Sequence, residues 1–142
     1  MGNTFFRLGK FEKSIEAFDN SLDLVQNNPA IYMNKTNTLI QTGNFAQAIT
    51  CLDKVLDIEP NNHKIYNYKG LIYYWSKDIK KAEKMFCDGI NTNNKFPMFY
   101  YNLGMICFNN SNYLKMLSYI KKFIKYKKGY TYDFYDTKIL ND

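Results

Sequence analysis

The residues able to perform acid–base, nucleophilic or metal chemistry are few in this 142-residue chain, and they are scattered. Cys51, Cys87 and Cys107 stand singly without the CxxC spacing of a zinc or redox site, and His63 is the only histidine. Carboxylates such as Asp78 fall at predicted helix ends or exposed positions, and there is no phosphate-binding loop. The sequence therefore predicts no enzyme activity, no metal site and no cofactor, and the scattered cysteines indicate a reducing, cytoplasmic setting.

Non-covalent recognition is the chemistry that the residue types favour, because aromatic side chains make up 18% of the chain. Two stretches, 63–76 and 97–110, carry aromatic or methionine side chains on both faces of a predicted helix. In the first stretch Tyr66 lies on one face, whereas Tyr74 and Trp75 lie on the other. A helix is apolar on both sides only where both are covered, so one face is predicted to pack. The other face is interpreted as binding a partner, with packing against the same face of neighbouring helices as the alternative.

Basic charge is concentrated near the end of the chain. Residues 113–130 hold six lysines and no acidic residue, and the net charge of the whole chain is also +6. Four of these lysines fall within about 120° on an ideal helix and form a basic patch: Lys121, Lys122, Lys125 and Lys128. The patch is interpreted either as a contact for an acidic partner, nucleic acid or an anionic membrane, or as a solvated outer face, which is preferred. Nucleic acid is not favoured, because Tyr119 and Phe123 lie on the opposite side of the helix.

A period of 34 residues organises the chain and positions these side chains. An aromatic residue recurs at this spacing in Tyr32, Tyr66, Tyr100 and Phe134. A glycine recurs in the same way at Gly2, Gly70 and Gly104, with Thr36 in the remaining unit. Within a unit, apolar residues follow the i, i+4, i+7 spacing of a helix, which predicts two helices joined by a tight turn.

The breaks between helices have recognisable turn chemistry. Asn28 precedes a proline and is predicted to cap a helix. Gly43 is predicted to end a helix with a positive φ, and Asn44 to cap the next one. Lys77 and Ser111 replace this glycine in the two later units, so their turns are predicted to be strained or differently shaped.

The chain resembles the tetratricopeptide (TPR) repeat family, whose 34-residue units place aromatic, Gly, Ala, Phe and Pro residues at set offsets. The resemblance is carried by Tyr32, Gly43, Phe45, Ala48, Leu52 and Pro60, and by Tyr66, Gly70, Tyr73, Ala82 and Phe86. It implies one all-α domain over 1–142, a right-handed superhelical stack of helix-turn-helix repeats. Its predicted parts are a partial repeat at 1–28, full repeats at 29–62, 63–96 and 97–130, and a C-terminal capping helix at 131–142.

The resemblance also implies where a partner binds. TPR domains use the exposed face of the first helix of each repeat as a concave groove for a peptide segment of a partner protein. Carried onto this chain, the groove is predicted to contain Met33, Asn34, Asn37, Lys64, Asn67, Tyr68, Leu71, Tyr74, Trp75, Met98, Tyr101, Asn102, Met105 and Phe108. The expected function is therefore that of a protein–protein interaction scaffold.

A carboxylate clamp, as used by TPR cochaperones on the acidic tails of heat-shock proteins, is not favoured. Asn3, Asn34 and Lys64 match three clamp positions, but Tyr68 stands where such clamps have an arginine. Bidentate carboxylate recognition needs that arginine.

Two alternative functions stay open at this point. One is binding of nucleic acid or another polyanion through the last repeat, and the other is self-association. A membrane span is not expected, because no apolar run approaches the length of about 20 residues that a bilayer requires.

Overall fold

The computed structural model describes residues 1–130 and shows that this part of the chain is entirely helical between its turns. The helices are α1 (Gly2–Arg7), α2 (Phe11–Leu24), α3 (Pro29–Gln41), α4 (Phe45–Ile58), α5 (His63–Trp75), α6 (Ile79–Thr92), α7 (Pro97–Asn109) and α8 (Tyr113–Lys127). They pack as successive pairs, each against the next. We propose that these pairs are the repeat units predicted above. The predicted capping helix at 131–142, with Phe134, lies outside the described residues.

Two buried clusters hold the stack together. The first joins α3, α4 and α5 through Leu39, Ala48, Cys51, Leu52, Val55, Ile65 and Ile72. The second joins α5, α6 and α7 through Leu71, Ala82, Phe86, Phe96, Met98, Phe99, Leu103 and Ile106. Each cluster spans one pair and the first helix of the next pair, so burial of apolar surface fixes the order of the helices.

The turn inside each pair has the same geometry in all four pairs. The residue with positive φ is Gly9 in the first pair, Gly43 in the second, Lys77 in the third and Ser111 in the fourth. In each case the amide of the next residue donates to the carbonyl five positions earlier, as Asn44 N does to Leu39 O at 2.8 Å. The turns at Lys77 and Ser111 therefore keep the shared shape with a strained residue.

Of the two helix N-caps predicted from the sequence, at Asn28 and Asn44, the structure shows the first and not the second. The Asn28 side chain accepts hydrogen bonds from Ala30 N (3.0 Å) and Ile31 N (3.4 Å), as predicted. The predicted cap by the Asn44 side chain is wrong, because its Nδ2 donates to Thr42 Oγ1 at 2.9 Å instead.

Lys77→Gly is expected to raise the free energy of unfolding by about 0.5–1 kcal/mol. An L-residue in the left-handed region costs about 1–2 kcal/mol, and the added freedom of glycine in the unfolded chain offsets part of the gain. Urea unfolding followed by circular dichroism measures the change, with Gly43→Ala as the reverse control that lowers stability at the equivalent turn. A less stable Lys77→Gly protein would show that the turn is not strained.

None of the helices formed by residues 1–130 combines the length and apolar character needed to cross a membrane.

Candidate functional site

A groove of about 570 Å³ opens along the faces of α3, α5 and α7. Its lining side chains come from all three helices, with additions from α1, α4 and α6. They are Phe6, Asn37, Ile40, Gln41, Phe45, Tyr68, Leu71, Tyr74, Trp75, Phe86, Tyr101, Asn102 and Met105. The first helices of three successive pairs therefore build one continuous concave surface.

Eight of the predicted groove residues line this surface. They are Asn37, Tyr68, Leu71, Tyr74, Trp75, Tyr101, Asn102 and Met105. Trp75 and Met105 retain 39% and 41% of their surface exposure, so they are accessible to a ligand. Leu71 is buried and contributes at the floor of the groove.

The other six predicted residues do not line the groove: Met33, Asn34, Lys64, Asn67, Met98 and Phe108. Met98 is buried at 1% exposure in the cluster between α5, α6 and α7, and Met33 packs against the cluster of α3, α4 and α5. The Phe108 ring packs near Tyr113, at a centroid distance of 6.3 Å. Phe108 nevertheless stays exposed outside the groove.

Asn67 belongs to the predicted groove set, but its side chain bonds to another residue of the chain. Asn102 Nδ2 donates to Asn67 Oδ1 at 2.8 Å, and both residues are buried. These two asparagines lie 35 positions apart and join α5 to α7 through one bond. A buried amide needs such a partner, and the bond holds the Asn102 side chain in place at the groove wall.

Five lining residues come from outside the predicted set: Phe6, Ile40, Gln41, Phe45 and Phe86. Gln41 lies one turn after Asn37 on α3, so the i, i+4 rule could have found it. Phe45 and Phe86 lie on the second helices of their pairs, at repeated positions that the sequence pattern assigns to packing within the stack. No signal in the sequence predicts that they also line the groove.

The polar groups of the groove are neutral. None of the thirteen described lining residues is charged. The Tyr74 hydroxyl accepts a hydrogen bond from Asn109 Nδ2 at 2.8 Å, which fixes the ring at the wall. The groove therefore offers an aromatic wall on α5 and α7 with oriented side chains, opposite carboxamides on α3.

Three lysines of the predicted basic patch lie on α8 and Lys128 is its C-cap residue; all four are exposed. Lys122 stacks over the Tyr100 ring at 5.4 Å and Lys125 over the Tyr126 ring at 5.3 Å, so rings of the stack already hold two of them. α8 has no buried residue, and Leu114 and Ile124 expose 85% and 62% of their surface. Polyanion binding through this helix stays a prediction, and so does self-association through the apolar faces of the chain.

Two of the cysteine thiols have raised pKa values. Cys51 is buried, and desolvation raises the pKa of its thiol; the pKa of Cys87 is also raised by desolvation. A raised pKa lowers the thiolate fraction on which nucleophilic reactivity depends. In residues 1–130 no group of three or more His, Cys, Asp or Glu side chains could hold a metal ion.

The sequence matches to the carboxylate clamp lie outside the lining of the groove. Asn3, Asn34 and Lys64 are absent from its lining, whereas Tyr68 stands in the wall where a clamp has arginine. That a clamp is not favoured stays a prediction from the sequence.

Comparison with known structures identifies the same fold. MamA from Desulfovibrio magneticus RS-1 superimposes with a TM-score of 0.75 at 17% identity, over 93% of this chain and 75% of that chain. A chain of the APC/C hetero-tetramer Cut9-Hcn1 superimposes with a TM-score of 0.76 at 15% identity, over 93% of this chain but 25% of that chain. The first TPR of Spaghetti (RPAP3), bound to the HSP90 peptide SRMEEVD, superimposes with a TM-score of 0.65 at 18% identity, over 78% of this chain and 87% of that chain. These likenesses confirm the all-α, right-handed superhelical stack.

Family models agree with the structural likeness. Two models described as tetratricopeptide repeat match residues 5–72 and 99–132, which together include most of the chain. No curated protein sequence matches it significantly. The repeat spacing, the helix pairs and the family models lead to one conclusion: this chain belongs to the tetratricopeptide repeat family.

Proposed function

We propose that the chain is a non-enzymatic interaction module that binds a peptide segment of a partner protein in the groove between α3, α5 and α7. The observation that carries the proposal is the continuous groove of about 570 Å³, whose wall displays Tyr74, Trp75, Tyr101 and Met105. Tyrosine and tryptophan supply large contact areas with few rotors to freeze, and methionine adapts to irregular partners.

A structural relative supports this use of the fold. The first TPR of Spaghetti (RPAP3), which shares the fold at a TM-score of 0.65, was solved with a peptide bound. That peptide, SRMEEVD, has a net negative charge, whereas the groove described here is uncharged. The relative therefore supports peptide binding as the class of function, with a different ligand in this chain.

The triple variant Tyr74→Ser, Tyr101→Ala and Met105→Ser is expected to lose partner capture by at least about 100-fold, because truncated interface anchors cost about 1–2 kcal/mol or more each. Affinity capture with mass spectrometry compares it with the unchanged chain, and direct binding of the purified partner segment measures the loss.

The matched control is Leu24→Ser with Leu114→Ser, since both leucines expose 85% of their surface away from the groove. Circular dichroism must show that both variants remain helical. Capture of the same partner at equal affinity by the triple variant would remove the groove as the binding site.

A further inference from the structure

We infer that the groove takes an extended peptide segment with uncharged, apolar side chains, an inference that rests on the proposed function and names its ligand class. The alternatives are a charged tail, such as the acidic peptide of RPAP3, and an amphipathic helix. Three observations on the described residues separate these ligands.

The first observation is the charge of the groove. All thirteen lining residues are uncharged, and Lys64, the closest sequence match to a clamp cation, is not among them. A carboxylate or ammonium group placed there loses hydration without gaining an opposite charge, and that loss is expensive in a partly enclosed site. Electrostatic complementarity thus selects a ligand without charged side chains in the groove.

The second observation is the unequal chemistry of the two sides. On α5 and α7 the wall consists of aromatic rings and a methionine, among which Trp75 and Met105 are the accessible members. Two polar groups on that side are already engaged within the protein, since Asn102 is bonded to Asn67 and the Tyr74 hydroxyl to Asn109. This side therefore offers apolar contact to ligand side chains.

The third observation concerns the opposite side, where Asn37 and Gln41 lie one helical turn apart on α3 and line the groove. Within residues 1–130 neither side chain makes a hydrogen bond, in contrast to Asn67 and Asn102. A carboxamide carries both a donor and an acceptor, which matches the N–H and C=O of a peptide main chain.

The spacing of these carboxamides fits an extended ligand. Residues at i and i+4 on a helix have Cβ atoms about 5–6 Å apart. Alternate residues of an extended chain are about 6.6 Å apart and present their main-chain groups to the same side. A helical ligand would have satisfied those groups internally and would leave Asn37 and Gln41 without a partner.

The test uses an array of random octapeptides blocked at both ends, probed with the complete chain of 142 residues. Captured peptides are expected to be enriched in Leu, Ile, Phe and Met and depleted in Asp, Glu, Lys and Arg. The affinity of the best octapeptide should change less than twofold between 50 and 500 mM NaCl, because no charge pair forms.

A charge variant tests the α3 side separately. Asn37→Asp with Gln41→Glu keeps the side-chain sizes but removes the amide donors, and it should weaken the best octapeptide at least tenfold. Asn61→Asp with Gln47→Glu makes the same chemical changes at exposed positions off the groove and should leave binding unchanged.

The outcomes separate the ligand class from the proposed function. Selection of acidic or basic octapeptides that the Tyr74, Tyr101 and Met105 variant no longer binds would overturn the ligand class and leave the groove as the site. Unchanged binding by Asn37→Asp with Gln41→Glu would overturn the extended mode. Failure of every octapeptide, or equal binding by the triple variant, would overturn both.

Discussion

Gly70→Ala is expected to destabilise the protein by about 2 kcal/mol or more, although alanine is the better helix former. A Cβ built on Gly70 would lie 2.7 Å from Cδ1 and from Cζ of Phe86, closer than such contacts occur. The Phe86 ring is 1% exposed and packed in the cluster of α5, α6 and α7, so it has no room to withdraw. The overlap therefore outweighs the helix-propensity gain of about 1 kcal/mol.

The equivalent residue of the next pair gives a matched control with the opposite sign. Gly104 lies 34 positions later, and a Cβ there would be 3.7 Å from Tyr119 Cβ and 3.9 Å from Ile120 Cγ1, which is ordinary contact. Gly104→Ala is therefore expected to be neutral or stabilising by up to about 1 kcal/mol. Urea unfolding of both variants measures the difference.

A double-mutant cycle tests the cause. Phe86→Ile copies the arrangement of the last pair, in which Ile120 faces Gly104. In that background Gly70→Ala should cost clearly less than in the unchanged chain, since the ring atoms that it meets are gone. Additive effects of the two substitutions would show that the close approach of helix and ring is not the source of the loss.

The period of 34 residues predicts much of this fold, because the turns and the buried apolar positions are determined by residue types that recur at this spacing. Pro29, His63 and Pro97, where the sequence pattern restarts, each begin a helix in the structure. The turn geometry at Gly43 follows from the residue itself, and the same hydrogen bond imposes that geometry on Lys77 and Ser111.

The groove is less predictable, since exposure depends on how each helix is rotated against its neighbours. Met98 shows the difficulty: it lies on the expected face of α7, yet it is buried beside Phe96 and Phe99. Asn67 shows another, because only the structure reveals that the partner of a polar residue lies 35 positions away. A single sequence contains the periodicity of each helix but not its rotation.

Phe96→Asn is expected to lower the free energy of unfolding by about 2–4 kcal/mol, although it restores the residue that caps an earlier repeat. Asparagine stands at Asn28 and Asn62, the equivalent positions, and Asn28 caps α3 with bonds of 3.0 and 3.4 Å. A new cap on α7 would contribute about 1 kcal/mol. Loss of a fully buried phenylalanine costs about 3–5 kcal/mol, so the sum is unfavourable.

The expected loss of stability follows from the position of Phe96 at the centre of an aromatic cluster. Its ring is 1% exposed and lies 4.8 Å from the ring of His63, 5.0 Å from Phe99 and 5.5 Å from Tyr130, measured between centroids. This cluster links the start of α5, the start of α7 and the chain beyond α8. Phe96 thus joins the third pair to the fourth and to the residues after α8, a role that a capping asparagine does not fill.

Urea unfolding of Phe96→Asn, Phe96→Leu and Asn28→Ala separates the two contributions. Phe96→Leu keeps most of the apolar volume and should lose less than the asparagine variant, whereas Asn28→Ala should lose about 1 kcal/mol through its cap alone. If Phe96→Asn were as stable as the unchanged chain, the cap would outweigh the cluster. Packing between the pairs would then depend on the clusters around Leu52 and Phe86 without a contribution from Phe96.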